Sequence, residues 1–102
     1  EHREQRREDL VFFAVLGEQA QEAVLPIIQT LRRDGVRVEW DYAARSLKAQ
    51  MRRAGRVGAE TVVIIGDEEI GKGTAVVRDM RAGTQRDVRI RDLPMHFVQI
   101  GG

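Results

Sequence analysis

Residues 41–59 read DYAARSLKAQMRRAGRVGA, and their reading decides how the rest of the chain is organised. The stretch opens where a strand should end. It carries one basic amphipathic helix and runs directly into another apolar run. Residues 41–45 read as a loop. Ser46 is a preferred N-cap type, because its hydroxyl can accept from a backbone N–H of the first turn. The helix it starts is expected to run to Arg56. Leu47, Met51, Ala54 and Gly58 line the expected inner side, and Lys48, Arg52, Arg53 and Arg56 cover the outer side. Gly58 ends it.

The flanks on both sides are strands. Downstream, TVVII at 61–65 is fully apolar and is closed by Gly66. Upstream, Val36, Val38 and Trp40 share one face of a strand over 36–40. Farther upstream, LVFFAVL at 10–16 is a continuous apolar run between charge and Gly17, which suits a strand buried on both faces. Between these two strands a helix is expected over 18–33. Ala20, Ala23, Val24, Ile27, Ile28 and Leu31 fall on one face of it. Pro26 lies inside this pattern and either kinks the helix or divides it. Arg32 and Arg33 suit the negative end of its dipole, and Gly35 is a stop.

This order of strand, helix, strand, helix, strand with short connections predicts a parallel sheet covered by helices. The period changes after Gly66. Residues 67–71 read as one acidic helical turn. Residues 74–80 and 85–90 alternate in character and are joined by RAGT, with Gly83 able to take a left-handed turn position. They predict an antiparallel hairpin added to the sheet edge. A last short helix is expected over 93–100, starting at Pro94.

A chain of 102 residues makes one domain. Its 17 basic and 16 acidic residues leave a net charge of +1, so any affinity for nucleic acid must come from how the charge is distributed. The absence of cysteine excludes disulfides and thiolate metal sites. The two histidines, His2 and His96, lie at opposite ends without ligand spacing, so no metal site is expected. No apolar run approaches the ~20 residues of a membrane helix. The N-terminus EHREQRRED lacks the apolar segment of a signal peptide. Residues 1–9 are expected to be a linker or disordered tail, and 10–102 the domain. A chain that does not begin with Met is expected to be a piece of a longer one.

Ligands of open α/β sheets bind beyond the carboxyl ends of the parallel strands. Here those ends are residues 17–18, 41–45 and 66–69. They carry Asp41, Tyr42, Arg45, Asp67, Glu68 and Glu69. Tyr42 offers a stacking face, and Arg45 and Lys48 offer phosphate or base-edge contacts. Glu68 and Glu69 can accept from base amino groups. The set fits single-stranded nucleic acid better than a small metabolite. Each residue also has a plainer reading: packing for Tyr42, a solvated face for the cations, and a helix-dipole preference for the acidic run. Catalytic readings fail. GEQAQEA after the first strand is no phosphate-cradling loop, and GDEEIGKGT opens no long helix. No Ser, His and Asp set suggests a nucleophilic triad. No catalytic residue is expected.

LRRDGVRVE, RSLKAQM, GAETVVIIG, the acidic turn after it, and VVRDMRAGTQ together resemble the C-terminal anticodon-binding domain of bacterial histidyl-tRNA synthetases, a class IIa family. The likeness covers residues 10–88. It implies a three-layer α/β/α fold around a mixed five-stranded sheet. It also implies recognition of the tRNA(His) anticodon stem-loop, with Tyr42, Arg45, Ser46, Lys48, Glu68 and Glu69 as contacts. Gln50 matches a family position and has a structural reading. Ala54-Gly55-Arg56 departs from the family's usual Ala-Asp-Lys, and Pro26 and the tail RIRDLPMHF are also less typical. The parent would be a cytoplasmic, homodimeric ligase that joins histidine to tRNA(His) with ATP and magnesium. Its catalytic domain would precede this chain, which would itself need no cofactor, span no membrane and be non-catalytic. The competing expectation is a regulatory or protein-interaction paralogue that keeps RSLKAQM for packing and no longer binds tRNA. A small-molecule-binding flavodoxin-like domain is a third.

Overall fold

The computed structural model describes residues 9–41, 43 and 46–98. The longest apolar run forms β1 (Leu10–Leu16), and it lies inside the sheet with parallel neighbours on both sides. The helix α1 (Glu18–Arg33) leads to β2 (Arg37–Trp40), and α2 (Leu47–Arg56) leads to β3 (Thr61–Gly66). A short acidic helix α3 (Asp67–Lys72) follows. The hairpin strands β4 (Thr74–Asp79) and β5 (Thr84–Arg89) come next, then a 3₁₀ turn at Ile90–Asp92 and α4 (Leu93–Val98). The strand order is β2-β1-β3-β4-β5, with the last two pairings antiparallel.

Because side chains alternate along a strand, β1 feeds two cores. Val11, Phe13 and Val15 pack with Ala20, Val24, Ile28 and Leu31 of α1. Leu93 and Phe97 of α4 join the same cluster. Leu10, Phe12 and Ala14 face the other way, against Ala54, Ala59 and Val62, with Met51 at the margin. The layers are therefore α1 with α3 and α4, the sheet, and α2 alone. Phe12 and Phe13 are fully buried on opposite faces, each contributing about 1.5–3 kcal/mol relative to exposure. The second core is the smaller and is built from smaller side chains, so α2 needs another anchor.

One helix spans both sides of Pro26. Pro26 and Glu22, whose carbonyl loses the missing N–H, are both exposed, so water can satisfy that oxygen. The two glycine stops behave as their sequence suggests. Val36 N–H reaches Leu31 O and Gly35 N–H reaches Arg32 O, with Gly35 at φ 91°. Ala59 N–H reaches Ala54 O and Gly58 N–H reaches Gly55 O, with Gly58 at φ 76°. Both are Schellman closures that need a left-handed residue. Arg32 also donates from Nη2 to Val38 O at 2.8 Å, covering part of the short edge strand β2.

His96 on α4 meets Phe97 edge-on, with ring centroids 4.8 Å apart. Burial, and secondarily the nearby Arg86 charge, hold its pKa below the ordinary histidine value. The fold thus favours neutral His96, and the unfolded chain binds more protons between the lowered folded pKa and about 6.5. Stability is expected to fall as pH drops through that window and to level below it. His96→Gln should remove this component, read as a smaller change in the urea midpoint between about pH 7.5 and 5.5. An unchanged pH profile in the variant would show that His96 does not set it.

Candidate nucleic-acid interface

The strand order reverses direction about β1, so the carboxyl ends of β1 and β3 meet at the crevice where doubly wound sheets usually hold a ligand. In this chain a side chain of its own fills that place. Asp67, the first residue of α3, accepts the N–H of Ala20 at 3.0 Å, in the first turn of α1. It passes so close to Gly17 that a Cβ there would overlap its carboxylate. The acceptor position that a bound phosphate would take at the start of α1 is therefore occupied by a carboxylate. This removes the physical basis for a flavodoxin-like nucleotide site.

The other acidic residues of the edge are partly committed as well. Glu69 Oε1 accepts from Gly66 N–H at 2.8 Å and ties α3 back to the end of β3. Glu68 stays exposed, with Lys72 Nζ 3.9 Å away one turn on. Asp41 is 3% exposed. Its Oδ1 accepts from Ala43 N–H at 2.9 Å, and its Oδ2 lies 4.0 Å from Arg53 Nη1. Asp41 therefore shapes the loop after β2, and of the expected ligand-edge acids it is the one most withdrawn from solvent. Arg53, expected on the solvated face of α2, is half-buried beside it.

The start of α2 is open. Ser46 is its N-cap, with Oγ accepting from Ala49 N–H at 3.2 Å. Lys48 is exposed in the first turn, and the helix has no acid there. A cation at the positive end of a helix dipole is locally unfavourable, and it raises the attraction for an anion at that place. Tyr42 and Arg45 fall outside the described residues.

The inner face of α2 differs from its expected form. Leu47 is 38% exposed, whereas Gln50 is fully buried. Its Oε1 accepts from Val15 N–H at 3.0 Å, and its Nε2 donates to Val15 O at 2.9 Å. β2 ends at Trp40, opposite Phe13, so the ladder stops two residues before Val15. The amide of Gln50 takes over there and makes the two bonds to Val15 that a continued neighbouring strand would make. The signal in the sequence was its place on the wheel between Leu47, Met51 and Ala54.

A family model described as the anticodon binding domain matches residues 10–99. The chain belongs to this family. Among curated relatives of the anticodon-binding domain, the histidine–tRNA ligase of Desulforamulus reducens is 47% identical over 83 residues. The match covers 81% of this chain and 20% of that relative. The histidine–tRNA ligase of Geobacillus thermodenitrificans is 42% identical over 88 residues, covering 86% and 21%. The chain thus spans about a fifth of the length of these relatives. The solved histidyl-tRNA synthetase of S. aureus superposes with a TM-score of 0.82 at 31% identity, over 88% of this chain and 27% of that one. The RNA binding domain of threonyl-tRNA synthetase from Cryptosporidium parvum shares the fold at a TM-score of 0.75 and 18% identity, over 92% and 24%. The mixed five-stranded sheet with its helices is thus the architecture of the anticodon-binding domain. Among the described residues no helix is long and apolar enough to cross a membrane, and no group of metal-ligating side chains occurs.

Proposed function

We propose that this anticodon-binding domain reads the anticodon of tRNA(His) as one part of a histidine–tRNA ligase. The observation that carries the proposal is the identity of 47% and 42% to two such ligases across most of the chain. The domain proper starts at Leu10, with Asp9 already buried beside it, and the residues before it join it to the rest of the enzyme. The parent couples histidine to tRNA with ATP and magnesium, in the cytoplasm and as a homodimer, through a catalytic domain outside this chain. No observation favours the protein-interaction paralogue.

The contacts are assigned to Tyr42, Arg45, Ser46, Lys48, Glu68 and Glu69. Exposed Lys48 and Glu68 support the assignment directly. Ser46 and Glu69 also hold capping bonds, which fix the first turns of α2 and α3 from which they make their contacts. The test is binding of tRNA(His) by the chain at several salt concentrations. Arg45→Ala and Lys48→Ala are each expected to weaken it and to lower the log–log salt slope by roughly 0.7–0.9 for each phosphate left without its cation. Unchanged affinity and slope in both folded variants would remove these two residues from the interface.

A further inference from the structure

The ten residues of α2 include four cations and no acid, in a chain whose net charge is only +1. The structure divides the four. Arg53 turns toward Asp41. Lys48, Arg52 and Arg56 recur every four residues on the side opposite buried Gln50 and Ala54, and all three are exposed. None of the three side chains has a hydrogen bond or ion pair among the described residues, whereas Arg81 lies 2.8 Å from Glu60 and Lys72 is beside Glu68. Like charges four apart on a helix are mildly destabilising, so the row persists against its own repulsion.

Gly55 adds an independent observation. It is exposed within α2 next to this row, and a Cβ there would meet nothing within 4 Å. Packing within the chain does not require glycine, and glycine weakens a helix relative to alanine. A missing side chain does allow another backbone to approach the helix closely.

We propose that Lys48, Arg52 and Arg56 form one phosphate-following stripe, which carries the contact from the anticodon loop onto the stem of the same RNA arm. This rests on the tRNA reading above. Lys48 sits at the carboxyl edge of the sheet. Arg56 lies eight residues farther, about 12 Å along the axis, toward the other end of the strands. An RNA whose loop meets the edge at Lys48 therefore has a row of exposed cations beneath its stem. A regular phosphate backbone matches such a row without any base being read. Arg53 plays no part, because its charge is met by Asp41.

The experiment compares Arg52→Ala, Arg56→Ala and the double variant with the wild-type chain. The probes are an anticodon stem-loop and a single-stranded oligonucleotide of the loop sequence alone, each at several salt concentrations. The double variant is expected to bind the stem-loop several-fold more weakly and to lower the log–log salt slope by roughly 1–2. Its affinity for the loop oligonucleotide, and its preference for the cognate anticodon, should stay the same. Arg→Lys at both positions should restore the slope, because a phosphate contact needs the charge. Stem-loop binding unaffected by the double variant would overturn the stripe, and so would equal weakening of both probes. A wild-type chain that does not distinguish anticodons removes the tRNA reading itself, whatever the arginine variants do.

Discussion

Replacing Gln50 by leucine is expected to lower the stability of the chain by about 3 kcal/mol, because it leaves two buried backbone groups without partners. Leucine keeps the bulk of glutamine but has neither donor nor acceptor. Val15 N–H and Val15 O would then lie in a fully enclosed place without the bonds they make now. Each orphaned group costs roughly 1–3 kcal/mol, more than the added apolar contact can return. For a domain of this size the loss corresponds to a drop in Tm of roughly 10–20 °C. Gln50→Glu separates the two bonds. The carboxylate can still accept from Val15 N–H but cannot donate to Val15 O, and it buries a charge. It should be no better than leucine near neutral pH. A Gln50→Leu variant that unfolds at the wild-type midpoint would show that α2 is held by its apolar contacts alone.

Gly17→Ala is expected to cost about 2–4 kcal/mol, from strain at a backbone position suited to glycine and from loss of the Asp67 cap. Gly17 has φ 106° and ψ 157°, a region that residues with a Cβ rarely enter. The new Cβ would also meet the Asp67 carboxylate and push it off Ala20 N–H. The two contributions separate in a double-mutant cycle. Asp67→Ala alone removes the cap, for roughly 1 kcal/mol. With alanine already at 67 the clash is gone, so Gly17→Ala should then cost only its backbone strain. Strictly additive unfolding free energies would contradict the contact between these positions.

These two positions also show what the sequence could and could not convey. The strands were legible because LVFFAVL and TVVII are apolar without interruption, and the helices because their buried residues keep a regular period. Gly83, at φ 73°, closes the hairpin as its turn signal suggested. Partners distant in sequence were harder to see. Asp67 caps a helix that starts 49 residues earlier, because adjacency of β1 and β3 brings their ends together. Periodicity within 67–71 carries no trace of that. Gln50 reads as polar, yet it is the most deeply placed polar side chain of α2, because the ladder it completes lies 35 residues away. Asp41 and Arg53 read as unrelated along the chain, and the short β2 brings them near each other. The loop residues with the richest recognition chemistry, Tyr42 and Arg45, are legible from residue type and family likeness.

Gln50, Asp67, Asp41 and Ser46 serve one end. They fix the start of α2 and the neighbouring strand ends, so that the exposed side chains there keep a defined arrangement. Preorganised contacts of this kind favour discrimination, because little ordering is left for the moment of binding.

The most direct test is an equilibrium titration of the chain with labelled tRNA(His) and with a variant differing only in its anticodon bases, at one fixed salt concentration. Phosphate contacts are the same for both, so any difference reports base reading. The exchanged anticodon is expected to bind about 5- to 150-fold more weakly, as the loss of 1–3 kcal/mol of base contacts implies. Equal affinity for the two tRNAs would contradict the account.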